Sequence, residues 1–453
     1  MKKITIFILS TLMLTGCGTY SQYHRTGIPD RKICIGNLSV DIDTTNIASM
    51  SWREMFTDQE LQSLIETGLQ QNTDLNVARL RVEAAEATLM TAKLSYLPSL
   101  GINAEGGGSR YDGVTAKTYN VGASASWELD IFGKLTAAKR GAVAALQGSR
   151  DYQQAVQTQL IATIADSYYT LAMLDEQMAI NNRTLENWRA TVRTLEALKK
   201  VGKANEAGVL QAKANVMQLE SSQLAICKSI AETENALSAI LAMPSQPIKR
   251  SSLAEASFPD TISIGVPLQL LSNRPDVRQA EMELAQAFYA THVARSAFYP
   301  NITLSGTLGW TNNEGGAITN PGQWLFNAIS SLTQPLFNRG TNIANLKIAQ
   351  TKQEEAKLLF QQSLLNAGKE VNDALTAWQT AKSQYEINTR QVETLREAVR
   401  KTELLMSHSS TSYLEVLTTQ QSLLNAEQAQ AQDRFGEIQG IINLYHALGG
   451  GCR

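Results

Sequence analysis

The sequence predicts a mainly α-helical chain with a small β part, built from long antiparallel coiled-coil helices and an internal duplication. Three observations carry that expectation. The 453 residues are 43% hydrophobic but only 6% aromatic, with 10 prolines. Such a chain is lean for several compact cores, and its few prolines leave long helices uninterrupted. Apolar residues recur every seventh position over long stretches, the signature of coiled-coil packing. Two stretches are similar after a shift of about 200 residues, and the order of the matched segments is the same in both halves.

The first element is not part of the fold. Lys2 and Lys3 precede an apolar run from Ile4 to Leu14, followed by Leu14-Thr15-Gly16-Cys17. A charged start and a short apolar stretch make residues 1–16 a signal peptide, too short to span as a helix. The Leu-Thr-Gly-Cys ending resembles the bacterial lipobox, which implies that Cys17 becomes the first mature residue and carries lipid. Residues 17–50 have no sustained period and form the lipidated N-terminal tether. No later stretch reaches the length of apolar sequence that a spanning helix needs.

Two structural repeats follow, over residues 51–250 and 251–453. Each reads as a helix, a strand pair, a long helix and a shorter helix. The run from Asp74 to Pro98 matches that from Asp276 to Pro300, and both stop at aromatic-x-Pro. Asp130-Ile131-Phe132-Gly133-Lys134 aligns with Pro335-Leu336-Phe337-Asn338-Arg339, and Gly208-Val209-Leu210 with Glu415-Val416-Leu417. The first helix is expected from Thr57 to Leu97, ended by Pro98. The long helix of the first repeat runs from Leu135 to Val201 and its partner from Asn205 to Met243. In the second repeat they run from Thr341 to Met406 and from Tyr413 to Leu448, before Gly449-Gly450-Gly451.

The seams are regular. Ile164, Leu171, Met178, Leu185 and Val192 make one. Leu160, Leu174, Trp188 and Leu195 make the second, interrupted by Ser167 and Asn181. The second repeat places Val371, Trp378, Tyr385, Val392 and Val399 in register, with Asn388 where Asn181 falls. Seam asparagines set register at a cost in stability.

Four strands are expected, over Leu100–Arg110, Tyr119–Leu129, Ile302–Thr311 and Leu325–Thr333. Their period of two gives one apolar face, and a length near ten residues with terminal aromatics suits a transmembrane β-strand. Open edges cannot sit in lipid, so two hairpins must pool with other copies: two chains give eight strands, three give twelve. Strand counting alone leaves that choice open.

Composition and motifs exclude several classes. A net charge of −2 argues against a nucleic-acid partner. Cys17, Cys34, Cys227 and Cys452 are far apart, and His24, His292, His408 and His446 are isolated, so no metal site is expected. Gly106-Gly107-Gly108 lacks the Lys-Ser/Thr of a phosphate loop, and Asp130-Ile131-Phe132-Gly133 has no catalytic loop beside it. No catalytic residues and no cofactor are expected; the chain reads as a non-enzyme.

The pattern resembles the outer membrane factor family, the TolC-like exit ducts, and within it the lipidated branch that serves RND-type tripartite efflux pumps. The resemblance spans about Ser51 to Gly451. It rests on Trp127-Glu128-Leu129-Asp130-Ile131-Phe132-Gly133-Lys134, on Leu332-Thr333-Gln334-Pro335-Leu336-Phe337-Asn338-Arg339-Gly340, on Thr411-Ser412-Tyr413-Leu414-Glu415-Val416-Leu417 and on Asn273-Arg274-Pro275-Asp276-Val277. It implies a homotrimer in the outer membrane, with a twelve-stranded barrel and a periplasmic α-barrel. It also implies passive conduction, with a periplasmic adaptor and an inner-membrane RND-type transporter as partners. The helical tips, Gly202, Lys203 and Ala204 in one repeat and Ser407, His408, Ser409 and Ser410 in the other, are implied to meet the adaptor. Glu415, Thr418 and Thr411 occupy the implied periplasmic aperture, on a polar stripe continued by Ser422 and Asn425. The chain departs from the family there: Gly208 replaces an acid of the first repeat, Thr418 a second acid, and Thr411 a basic partner. Closure is therefore expected to rely on packing around Leu414 and Leu417. Alternative readings are the duct of a type I protein-secretion system and a non-conducting coiled-coil lipoprotein. The exported substrate is not legible.

Overall fold

A computed structural model describes residues 21–24, 50–258, 274–312, 323–408 and 413–451. Cys17, Ser409, Ser410 and Thr411 lie outside them. The element order is α1 (Trp52–Met55), α2 (Gln59–Gln71), α3 (Thr73–Leu94), β1 (Ser99–Tyr111), β2 (Val114–Leu129), α4 (Lys134–Lys200) and α5 (Glu206–Ile240). A 3-10 turn (Leu253–Glu255), α6 (Pro275–Ser296), β3 (Asn301–Thr311), β4 (Gln323–Thr333), α7 (Thr341–Ser407) and α8 (Tyr413–Ala447) complete it. No helix among the described residues is long and apolar enough to cross a membrane. The chain forms two compact units, and each draws on both repeats: one gathers residues 80–151 and 278–363, the other 31–79, 152–277 and 364–453.

The long helices begin and end within a residue or two of expectation, but the expected first helix is broken. Asn72 stands between α2 and α3 in an extended conformation. Its N–H bonds the carbonyl of Gly68, its side-chain oxygen accepts from the N–H of Leu75 (3.0 Å), and its amide donates to the carbonyl of Ile240 (2.8 Å). One side chain thus caps a helix start and ties it to the end of α5. Asp58 likewise caps α2 through the N–H groups of Glu60 and Leu61, and also accepts from the Tyr168 hydroxyl (2.6 Å). Burial, then that bond to a carboxylate, pushes the Tyr168 phenol up to about 12.

In the first unit the strands make one antiparallel sheet in the order β1-β2-β3-β4. The two expected hairpins are therefore joined: β2 pairs with β3 from Asn120–Thr311 to Leu129–Ile302. Both early strands are longer than expected, because β1 and β2 stay paired to the turn at Asp112-Gly113. There Asp112 and Gly113 both take positive φ (45° and 81°), as a two-residue hairpin requires.

Register fixes the faces, since residues directly opposite point to the same side. Leu100, Ile102, Val121, Ala123, Trp127, Leu304, Leu308, Trp310, Trp324 and Phe326 share one face. Ser99, Asn103, Asn120, Ser124, Ser126, Thr303, Ser305, Thr307 and Asn327 share the other. The apolar side is open: Ile102 is 86% exposed and Phe326 78%. Between the repeats Gly122 and Gly309 stand directly opposite. A Cβ on Gly309 would lie 2.2 Å from the carbonyl oxygen of Val121, and one on Gly122 2.7 Å from that of Leu308.

The Asp-Ile-Phe-Gly-Lys segment turns strand into helix. Asp130 caps α4, accepting from the N–H groups of Leu135 and Thr136 (both 2.8 Å) and from the Thr136 hydroxyl (2.6 Å). Gly133 supplies a φ of 74°, Lys134 pairs with Glu128 (2.9 Å), and Phe132 stacks on Tyr299 at 5.1 Å. In the second repeat Leu336 and Phe337 are 94% and 87% exposed.

The second unit carries the seams. Ile164, Leu171, Trp188 and Leu195 are fully buried, and Leu160, Leu174 and Leu185 nearly so. Each such side chain contributes roughly 1.5–3 kcal/mol of burial. Asn181 is buried within its seam and donates to the carbonyl of Leu219 (3.2 Å), whereas Asn388 is half-buried and donates to Asp433. Gly440 of α8 lets the chain approach α7 closely, since a Cβ there would lie 2.7 Å from the Cα of Trp378. Arg274 is buried; it bonds Asp276 (2.8 Å), Glu370 (2.6 Å) and the carbonyl of Ala447 (2.8 Å), pinning the start of α6 to the end of α8. His446 beside it is held below its usual pKa by burial and by the Arg274 charge.

The sheet geometry makes Gly309 intolerant of any side chain. Gly309→Ala is expected to cost more than about 2 kcal/mol, because the clash is with backbone that cannot move without breaking the β2–β3 ladder. Gly106→Ala, where the nearest atom to a new Cβ is 4.0 Å away, is expected to be close to neutral. Urea unfolding of the two variants checks the contrast.

Candidate functional site

Two surfaces carry the expected functional residues, one in each unit. The first is the polar face of the sheet. Hydroxyls and amides predominate on it, with Leu325 and Ile329 of β4 as apolar members: Asn103 donates to the Ser124 hydroxyl (3.0 Å), and Ser99 to the carbonyl of Ser126 (3.1 Å). Its charged members in the described strands are Glu105, opposite Asn120, and Glu128, which Lys134 neutralises. Such a wall hydrogen-bonds solutes and water without strongly favouring either sign of charge.

The second surface is the pair of helical tips in the other unit. After α4 the chain reverses in a Schellman turn: the N–H of Lys203 bonds the carbonyl of Leu198 (2.9 Å) and that of Gly202 the carbonyl of Lys199 (3.0 Å). Gly202 takes the left-handed φ of 73° that this turn demands. Lys199 pairs with Glu206 across the turn. Asn205 then caps α5, accepting from the N–H of Gly208 (2.9 Å). Of the second tip, Ser407 ends α7 and His408 is exposed; the next residues lie outside the described ones.

The tips are fastened by residues that sequence reasoning passed over. Tyr413, the first residue of α8, lays its ring on Gly208 and donates its hydroxyl to Asn205 (2.7 Å). A Cβ on Gly208 would lie 2.4 Å from that ring. The glycine that replaces an acid in the first repeat is therefore a seat for a tyrosine of the second. The signal was present in the sequence as Asn205 three residues after Gly202, a helix-start pattern; its partner Tyr413 had no sequence signal.

Beneath the tips Leu195, Val209, Ala212, Leu219, Leu417 and Leu424 form a shared core with Trp188. Deeper, Glu427 of α8 is 5% exposed and holds Arg183 of α4 (2.7 Å) and Arg396 of α7 (2.8 Å). Both long helices thus grip one carboxylate.

The polar stripe on α8 is real. Glu415, Thr418, Ser422 and Asn425 are exposed, while Val416, Leu417, Gln420 and Leu424 are buried. Thr418 turns its hydroxyl onto the carbonyl of Leu414 (2.9 Å), so Glu415 supplies the charge of the described stripe. Leu414 and Leu417, expected to close the aperture together, point apart: Leu414 is 56% exposed and Leu417 is 3% exposed within the chain's own core. Three positions on the helix separate them, and only one side of α8 is packed. Among the described residues no group of acids, histidines and cysteines could hold a metal ion.

Residues 64–243 and 266–450 match the model of the outer membrane efflux protein family. The chain belongs to that family. Residues 1–17 match the prokaryotic membrane lipoprotein lipid attachment site. The cation efflux system protein CusC of Escherichia coli is 30% identical over 454 residues, covering 97% of each chain. The probable outer membrane lipoprotein SilC of Salmonella typhimurium is 30% identical over 465 residues, covering 100% of this chain and 99% of its own. Among solved structures, the open state of the MtrE outer membrane channel of Neisseria gonorrhoeae superposes with a TM-score of 0.86 at 27% identity, over 96% of this chain and 98% of that one. The chain is a lipid-anchored outer-membrane efflux channel with the helical and β-sheet fold of that family.

The tip clasp sets an expectation for substitution. Tyr413→Phe removes one hydrogen bond and is expected to cost about 1 kcal/mol. Gly208→Glu, which would restore the family's acid, is expected to unseat the ring and cost more. Hydrogen exchange at residues 198–209 is expected to quicken slightly in the first variant and strongly in the second.

Proposed function

We propose that three copies of this chain assemble into one duct, which receives cargo from an inner-membrane RND-type transporter through a periplasmic adaptor. The carrying observation is the sheet. It has an exposed apolar face, an opposite face mainly of hydroxyls and amides, and outer strands β1 and β4 each paired on one side only. In hydrocarbon every backbone N–H and C=O must be paired, so β4 of one copy must meet β1 of the next until the sheet closes. Three copies make twelve strands, with apolar residues towards lipid and the polar face towards water. The family is one of efflux proteins, and the duct is read as a passive conduit for its cargo.

Cys17 is the residue that carries the lipid, given its place at the end of the matched attachment segment. Cys17→Ser is expected to lose the diacylglycerol from the mature N-terminus by mass spectrometry; an unchanged lipidated peptide refutes the assignment. The tips, with Gly202, Lys203 and Ala204 on one side and Ser407 to Ser410 on the other, are the adaptor-facing end. Glu415 is the charge of the aperture, with Thr411 and Thr418 beside it. Three copies place three carboxylates about one axis, and a ring of like charge in a narrow pore attracts cations and repels anions. The similar CusC is named a cation efflux protein, and such a ring suits positively charged cargo.

Planar-bilayer recording tests the aperture. Glu415→Gln is expected to reduce cation selectivity without changing the yield of crosslinked trimer, and Glu415→Lys to abolish or reverse it. Wild-type selectivity in both variants would place Glu415 on the outer wall.

A further inference from the structure

We propose that Arg110 and Lys117 form a binding site for the phosphate of an anionic lipid headgroup in the outer leaflet. The inference rests on the reading of the sheet as a membrane wall. All four strands join helices at one end, through Ser99, Leu129, Asn301 and Thr333, and the β1–β2 turn lies at the other. Along the apolar face the rungs rise from Leu129 and Trp127, through Ala123, Leu308 and Phe326, to Val121, Trp310 and Trp324, and then to Tyr119. Trp310 and Trp324 pack at 4.8 Å. From Leu129 to Tyr119 is about 33 Å along a strand, or about 25 Å upright at the usual tilt, the height of an outer-membrane apolar band. Tyr119 and the two tryptophans therefore mark its upper aromatic girdle.

Beyond the girdle this same face stops being apolar. Lys117, one rung above Tyr119, stands opposite Gly108, and Arg110, one rung higher, stands opposite Thr115. The two cations are diagonal neighbours, about 7–8 Å apart. Like charges so placed repel unless an anion sits between them. Among the described residues neither is in a salt bridge; the pairs of this unit lie elsewhere, at Glu128–Lys134, Glu86–Arg150, Asp151–Arg278 and Glu354–Lys357. The acid nearest in sequence, Asp112, belongs to the turn, and Glu105 faces the opposite side of the sheet.

The site has a shape as well as a charge. Gly106 and Gly108 flank Lys117 on this face, and a Cβ on either would meet nothing closer than 4.0 Å. The strand is thus left with a bare notch beside two long cationic side chains, at the level where headgroups begin. The side chains lie on the lipid side and not the polar side of the sheet, so an occupant must be anchored in the bilayer. Long basic side chains at such a level keep their charge in the headgroup layer while their stems cover apolar surface. A pair of them favours an anionic headgroup, as basic clusters beside membranes do.

Fluorescence quenching by brominated lipids tests the site on the full lipidated protein, in a Trp127→Phe background so that the membrane tryptophans are Trp310 and Trp324. In vesicles mixing brominated phosphatidylglycerol with plain phosphatidylcholine, or the reverse, quenching gives the relative affinity of the two headgroups for this ring of the barrel. A preference of about five-fold for the anionic lipid is expected. It is expected to fall to parity in Arg110→Gln/Lys117→Gln and to survive in Arg110→Lys. A preference unchanged in the double variant, or parity in the parent, overturns the site. Parity leaves the barrel intact, whereas quenching by neither lipid would remove the membrane-wall reading itself. Should the double variant fail to assemble, the single variants Arg110→Gln and Lys117→Gln carry the same comparison.

Discussion

The unpaired edges of a four-stranded sheet govern this chain. β1 and β4 each leave a row of N–H and C=O groups open while one face of the same sheet is apolar and exposed. In water such a sheet would aggregate through its edges, and in lipid its open groups would cost several kcal/mol each. Closure by further copies removes both penalties at once. The duplication serves this constraint directly. A single repeat would supply two strands, and the pairing of β2 with β3 turns two hairpins into one wall. The facing pair Gly122 and Gly309 sits at this junction, where the two repeats meet without room for a Cβ on either side.

Much of this was legible in the sequence, for physical reasons that can be named. Period seven survives in α4 and α7 because their seams are packed, and period two survives in the strands because their two faces meet different solvents. The errors lie where a residue's role depends on a distant partner. Asn72 looks like an ordinary polar residue in a helical run; it breaks the helix because the carbonyl of Ile240 stands ready to accept its amide. The expectation for β2 starts five residues late, at Tyr119, because Val114 to Thr118 carry no clear apolar alternation, although backbone pairing to β1 continues through them. That same polar stretch is what separates the aromatic girdle from the turn.

The site was legible in part. The reversal at Gly202 and the polar stripe on α8 follow from residue type and spacing alone. The departure at Gly208 had no visible cause in one dimension, since the ring that fills its place belongs to Tyr413, some two hundred residues later. In three dimensions the departure is a steric exchange: an acid is given up at one tip so that a tyrosine can lock the other against it. Leu414 and Leu417 show the converse. Both are leucines of one helical turn, and only the packing beneath α8 separates the buried one from the exposed one.

The two ties between repeats differ in kind, and the difference bears on how the tips can respond to their surroundings. Glu427 is buried, but its partners Arg183 and Arg396 keep more than half of their side-chain surface in water. Their contribution is partly screened by salt, each guanidinium holding its own oxygen of the one carboxylate. The clasp of Tyr413 on Gly208 and Asn205 is contact and a neutral hydrogen bond, indifferent to ionic strength. A change of ionic conditions therefore loosens the grip of the long helices on α8 before it loosens the tip. The tip stays a fixed shape at the end of helices whose mutual hold is adjustable.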